Sequence, residues 1–149
     1  MTHNLESKVT SKIKHFKDKA DHNKREALWG FKAIMFTTVS VPLFIAFGVD
    51  EFWSKYVPAI FSSVSAFTTA WLQLRKPNYL WTLYRTVERN LESHLELYTY
   101  NAGEYQNSEN KDVLLIENMN KICLNANSSW VALVPNDKDL EKVDKKNNA

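Results

Sequence analysis

The sequence predicts an all-α protein: a two-helix transmembrane hairpin carried on a cytoplasmic amphipathic helical bundle. Three observations support this. Two uncharged runs of about 17 and about 19 residues, after Lys32 and after Lys55, sit back to back in a chain whose mean hydropathy is only −0.40. Lys and Arg crowd the outer flanks of that pair and leave the connection between the runs almost bare. Elsewhere, apolar residues recur at spacings of three and four with charges between them, the pattern of helices that bury one face. With 3 glycines and 4 prolines, the chain has little of the material that loop-rich folds need.

Residues 1–27 form the first element, a basic amphipathic helix. Leu5, Val9, Ile13, Phe16 and Ala20 recur on one face, and the opposite face is lysine-rich, with Lys8, Lys12, Lys14, Lys17, Lys19, Lys24 and Arg25 crowding the segment. The basic side is either a solvated face or a grip on anionic lipid, where each lysine near the surface contributes about 1 kcal/mol. The two readings are compatible.

Residues 28–49 read as the first transmembrane helix, 50–55 as an external turn and 56–76 as the second helix. At 1.5 Å per residue the uncharged runs reach about 25 to 29 Å, close to the hydrocarbon thickness of a bilayer. Trp29 and Trp71 mark one membrane interface, Trp53 and Tyr56 the other. Basic residues precede the first run, and Arg75, Lys76, Arg85 and Arg89 follow the second, while the turn carries Lys55 alone. The positive-inside rule then puts both termini in the cytoplasm. The competing reading is the buried hairpin of a soluble helical domain, since both runs contain Ser, Thr and a proline. A soluble core helix normally keeps one charged face, and neither run has one.

Residues 77–134 read as a cytoplasmic helical hairpin and 135–149 as a polar tail. Pro77 offers no backbone donor and drives Lys76 out of the α region, so the second span stops or kinks there. Beyond it, Leu80, Tyr84, Val87, Leu91, Leu95 and Tyr98 form a stripe, with Arg85, Glu88, Arg89, Glu92 and Glu96 expected outside it as surface pairs. Gly103 is the expected helix breaker. A last helix is expected over 113–133, with Leu115, Met119, Ile122, Ala126, Trp130 and Leu133 on one face and Pro135 as its stop.

Trp81 with Tyr84 and Arg85, then Glu88 and Leu91, then Tyr98, Gly103 and Tyr105, and finally Asn127 and Trp130, follow a basic leader and two spans in an order that resembles the SLATT-type proteins. These are two-transmembrane effector domains associated with bacterial nucleotide-signalling genes. The resemblance covers roughly residues 15 to 134 and departs from the family's pattern at Pro77, where span and cytoplasmic helix join. It implies a homo-oligomeric protein of the bacterial inner membrane that forms pores in response to infection, with a nucleotide-sensing or nucleotide-synthesising protein as partner.

Little in the sequence points to catalysis. His3, His15, His22 and His94 have no third ligand at metal spacing, so no metal or cofactor is expected. Cys123 is alone, which excludes an internal disulfide, and it reads as a small core residue. There is no glycine-rich phosphate loop, no G-x-S-x-G and no H-E-x-x-H, so an enzyme is not expected. The lysines lack the interleaved aromatics of a nucleic-acid surface. The second span is more informative. Ser62, Ser65, Thr69 and Gln73 fall on one stripe, and polar groups in hydrocarbon face partners or water. They either let helices pack closely, together with Ala66 and Ala70, or line a polar path in an oligomer. In the first span Pro42 leaves the carbonyl of Thr38 without its helical donor, which makes Thr38 and Pro42 either a gating hinge or a tolerated bend. The function expected is a membrane effector that oligomerises and permeabilises the inner membrane. The alternative is a non-conducting membrane adaptor whose bundle binds a signalling partner.

Overall fold

The computed structural model describes residues 2–133. The polar tail expected over 135–149, with Pro135 as its start, lies outside the described residues. Four helices account for nearly all of the rest: α1 (Thr2–Phe47), α2 (Val57–Arg75), α3 (Pro77–Thr99) and α4 (Lys111–Leu133). A wide π-helical turn covers Phe52–Tyr56 and a 3-10 turn covers Gly103–Tyr105. Among the described residues there is no strand. Contacts divide the chain into two compact units, one made of residues up to 18 with those from 82 onward, the other of residues 19–81.

α1 is a single helix of 46 residues, so the basic leader and the first apolar run are continuous. Only Gly30 and Pro42 weaken it, and an isolated glycine costs a helix about 1 kcal/mol, too little to stop one of this length. Pro42 lies inside α1 rather than at an end. The helix ends at Gly48, where side chains are excluded: a Cβ there would sit 2.6 Å from the Phe44 carbonyl oxygen and 2.8 Å from the Ser54 nitrogen.

The connection is shorter than expected. Only Gly48, Val49 and Asp50 lie outside helix, and Trp53, Ser54 and Lys55 belong to the opening turn of the next helix instead of to a loop. The Asp50 carbonyl starts that turn by accepting both the Ser54 amide (3.0 Å) and the Ser54 hydroxyl (3.0 Å). Lys55 and Glu51, four apart and 2.8 Å between charges, reinforce it on the exposed side.

Within residues 19–81, α1 and α2 run antiparallel. Gly30 meets Leu72, the Thr38 and Ser65 hydroxyls lie 3.3 Å apart, and the Phe44 ring packs on Phe61 and Trp53, at 5.5 and 5.8 Å. A Cβ on Gly30 would fall 2.7 Å from the tip of Leu72, so glycine sets how closely the helices approach. The residues buried in this unit are mostly small or polar, among them Ala20, Asn23, Ala27 and Thr37. Large apolar side chains such as Phe31, Phe36, Phe47, Phe67 and Leu74 are exposed. Both apolar stretches are long and apolar enough to cross a membrane, and only 6% of each is buried within the chain. A hairpin hidden in the core of a soluble domain would be mostly buried, and this one is not.

α2 closes at Lys76, which leaves the right-handed helix as Pro77 demands. It adopts the left-handed region (φ 47°, ψ 47°) rather than the extended one usual before proline. The choice has a local cause. In this conformation the Lys76 amide still reaches the Leu72 carbonyl (2.9 Å), while its own carbonyl receives the Tyr79 and Leu80 amides (3.0 and 3.2 Å), so α3 restarts at once. Pro77 then occupies the first helical position, where its missing donor costs nothing.

The other unit has a conventional core. Val9 and Ile13 from α1, Val87, Leu91 and Tyr98 from α3, and Leu115, Met119 and Ala126 from α4 form one core with Tyr105, which is fully buried. Leu5, Phe16, Leu95, Ile122 and Cys123 pack around the edge. Burying a leucine of this kind contributes about 1.5 to 3 kcal/mol. The stop of α3 is set by Asn101 rather than Gly103. Asn101 is left-handed (φ 51°), its amide reaches the Tyr98 carbonyl (3.2 Å) and the Ala102 amide reaches Leu97 (2.9 Å), the two bonds of a Schellman cap. Gly103, also left-handed at φ 60°, opens the 3-10 turn that delivers Tyr105 to the core.

Candidate functional site

The polar stripe of the second apolar run assembles into one groove. Ser62, Ser65, Thr69 and Gln73 line it together with Thr38, Val41, Ala66 and Ala70, enclosing about 540 Å3. Some of its polar groups are satisfied within the hairpin. Thr69 donates to the Ser65 carbonyl at 2.8 Å, and the Thr38 and Ser65 hydroxyls pair across the two helices. The buried Thr37 donates back into α1, to the Ala33 and Ile34 carbonyls at 2.9 and 3.1 Å. Ser62 and Gln73 are exposed, and their side chains make no hydrogen bond among the described residues. A glutamine amide offers two donors and an acceptor with two lone pairs, so Gln73 brings unused capacity to the groove. Of the two hinge candidates, Thr38 lies in the groove; Pro42, one turn further along α1, is exposed.

The four aromatics expected at interfaces divide between the two ends of the hairpin. Trp53 stacks on Phe44 with ring planes 20° apart, and Tyr56 lies beside Phe52 at 6.3 Å, both near the turn. Trp29 and Trp71 line a cleft of about 430 Å3 at the opposite end, with His22, Arg25, Glu26 and Arg75. Here Glu26 is the organising residue. Its Oε1 accepts from Trp71 Nε1 (3.1 Å) and Arg75 Nε (3.3 Å), and its Oε2 accepts from a terminal Arg75 nitrogen at 3.0 Å. The Arg75 hydrogen bonds hold the Glu26 carboxyl below the ordinary range, against the opposing effect of partial burial. The sequence reading missed this pair. The signal was in the register: an antiparallel hairpin brings together the charges that bound its two runs at one end, and these two are opposite in sign.

The residues that carried the family resemblance spread over both units. Trp81 has its indole nitrogen buried without an acceptor among the described residues, and the Lys24 ammonium lies 5.6 Å above its ring. Tyr84 packs near Phe16, ring centres 6.1 Å apart. Arg85 and Glu88 are 2.7 Å apart, but Glu88 is only 3% exposed, so this is not the surface pair expected. The reason is positional. Glu88 falls four residues after Tyr84 and three before Leu91, on the buried line itself, and a carboxylate there requires a partner. Trp130, expected on the packed face of the last helix, is instead 41% exposed on α4.

Around Tyr105 the unit of residues up to 18 and from 82 onward holds a polar network. The Tyr105 hydroxyl meets His94 Nδ1 (3.1 Å) and accepts from the Asn118 amide (3.1 Å), which also donates to Glu104 at 2.8 Å. Burial raises the Tyr105 hydroxyl's pKa. Tyr98 donates to Asp112 at 2.6 Å, and this bond, with burial, pushes its pKa up to about 12. These contacts fix α3, the 3-10 turn and α4 together. Among the described residues no group of three or more His, Cys, Asp or Glu side chains converges.

The fold thus defines a helical protein with two helices long and apolar enough to cross a membrane. More particularly, the chain belongs to the family described as protein of unknown function (DUF4231), which matches residues 11–113, from the middle of the basic leader through α3 to the start of α4. No curated protein and no solved structure matches it.

Proposed function

We propose that this is a multi-pass protein of the bacterial inner membrane, both termini cytoplasmic, whose hairpins assemble into a homo-oligomer that permeabilises the bilayer when a defence pathway is triggered. The observation that carries the reading is the groove. Four polar residues of one stripe share it with Thr38 of the neighbouring helix, and Ser62 and Gln73 keep unspent hydrogen-bonding capacity in a surface otherwise apolar. In hydrocarbon such groups face a partner copy or water, and two spans enclose a path only in several copies. The resemblance of Trp81, Tyr84, Arg85, Glu88, Gly103 and Trp130 to the SLATT-type pattern supports the same function, and with it a nucleotide-sensing or nucleotide-synthesising protein as the trigger.

Expression while a membrane-potential dye is followed tests the reading. Depolarisation is expected once the triggering system is present, and its absence under every condition would count against conduction. Ser65→Leu with Thr69→Leu should block conduction if the groove is the path and leave it intact if these residues only pack helices.

A second reading, a non-conducting membrane adaptor, has its own observation. Ile116, Leu124 and Val131 are exposed along one side of α4, a surface available to a cytoplasmic partner. It predicts harmless expression and a bound partner that survives the leucine substitutions in the groove.

A further inference from the structure

We propose that the cleft bounded by His22, Arg25, Trp29, Trp71 and Arg75 is a binding site for the phosphate of an anionic phospholipid. The inference rests on the hairpin lying in a bilayer, and it gives that hairpin a specific lipid partner. Position is the first argument. Arg75 is the first charge after the uncharged run of α2, and Leu28 and Leu74, the sequence neighbours of Trp29 and Arg75, are exposed apolar side chains, as is Phe31. A headgroup seated there leaves its acyl chains against side chains that suit them.

Charge is the second. Two guanidiniums line the cleft against a single carboxylate. Both oxygens of that carboxylate, on Glu26, are already engaged by Arg75 and Trp71. Arg25 is exposed and has no ion-pair partner among the described residues, which leaves the cleft with a positive excess. A guanidinium matches phosphate with paired donors, and basic pockets between membrane helices hold anionic headgroups in this way. The third argument is the pair of indoles, 77% and 47% exposed, whose amphipathic rings favour headgroup depth. A cleft of about 430 Å3 lies within the size range of small-ligand sites. The leader lysines are distributed along α1 and attract anionic lipid diffusely; the cleft is a place for one molecule.

The test reconstitutes the full chain in phosphatidylcholine vesicles with a minor share of phosphatidylglycerol, brominating one lipid or the other, and reads quenching of tryptophan fluorescence. Phosphatidylglycerol should quench beyond its share of the bilayer. Arg25→Gln should cut that enrichment about fivefold, whereas Lys14→Gln, the same change of charge on the leader, leaves it nearly unaltered. Trp29→Phe with Trp71→Phe should remove the phosphatidylglycerol-specific part of the quenching. Enrichment insensitive to Arg25→Gln, or equally sensitive to Lys14→Gln, overturns the site while quenching by brominated phosphatidylcholine still supports a membrane hairpin. No quenching by either lipid overturns the hairpin and the site together. Loss of enrichment on adding inorganic phosphate reassigns the cleft to soluble anions and overturns the lipid.

Discussion

In the unit of residues up to 18 and from 82 onward, Leu91, Leu115 and Val9 are each 1% exposed, whereas in residues 19–81 Phe67 is 71% exposed and Phe47 79%. The same class of side chain is sorted inward in one region and outward in the other. Buried polar groups are partnered in both regions: Asn23 and Thr37 donate to carbonyls of α1, and Glu88 pairs with Arg85. The inward arrangement is that of a core packed in water; the outward one is what the proposed membrane setting or partner copies would favour.

The largest expected effects break this comparison most directly. Leu91→Ala or Leu115→Ala should cost about 2 to 5 kcal/mol in detergent denaturation, because each leaves a cavity in a packed core. Phe67→Ala should cost under about 0.5 kcal/mol in the same assay, as a surface substitution does. Similar costs in the two regions would remove the contrast. Phe67→Lys should instead disfavour membrane insertion by about 2.5 to 3.5 kcal/mol, read as the inserted fraction in a translocation assay.

Next in size are the glycines of the hairpin. Gly48→Ala drives a methyl into backbone atoms and should cost about 1 to 3 kcal/mol of thermal stability. Gly30→Ala meets the tip of Leu72, which can move, and should cost less than Gly48→Ala. The reverse ranking would mean that the helices pack in another register.

pH sharpens the comparison, since the two units respond at opposite ends of the scale. The Glu26 carboxyl is held below its ordinary value of 4.5, so its contribution is complete above that pH and is lost as acid titrates the folded pair. Tyr98 is raised from 10.0 to about 12, so its contribution is complete below pH 10 and lost as the pH rises through the folded value. Glu26→Gln should therefore flatten the acid side of a stability profile, and Tyr98→Phe the alkaline side. The smallest effect is expected at Lys55→Ala: its pair with Glu51 is largely exposed, so the change should be within about 0.5 kcal/mol.

What the sequence made legible follows the same division. Helical stripes were readable because periodicity reports burial: Val9, Ile13, Leu91, Leu115 and Met119 are where their spacing puts them. The polar stripe was readable for the same reason, its four members sharing a groove. Features that depend on a partner distant in sequence were not. Glu88 reads as a surface acid until its position on the buried line is seen beside Arg85, and Glu26 reads as one more charge in a basic leader until α2 brings Arg75 to it. Local competition hid the rest. Asn101 reaches the left-handed cap before Gly103, and the Asp50 carbonyl recruits Ser54 into helix where a loop was expected.

Two lipid-embedded helices with their outer ends on one side of the membrane are the claim on which the proposed function depends. In a Cys123→Ser background, Glu51→Cys and Lys14→Cys can each be labelled with a membrane-impermeant maleimide in intact bacterial cells. The account predicts rapid labelling at position 51 and none at position 14 until the cells are opened. Protection of both sites, labelling of both, or recovery of the chain in the soluble fraction without detergent would contradict it.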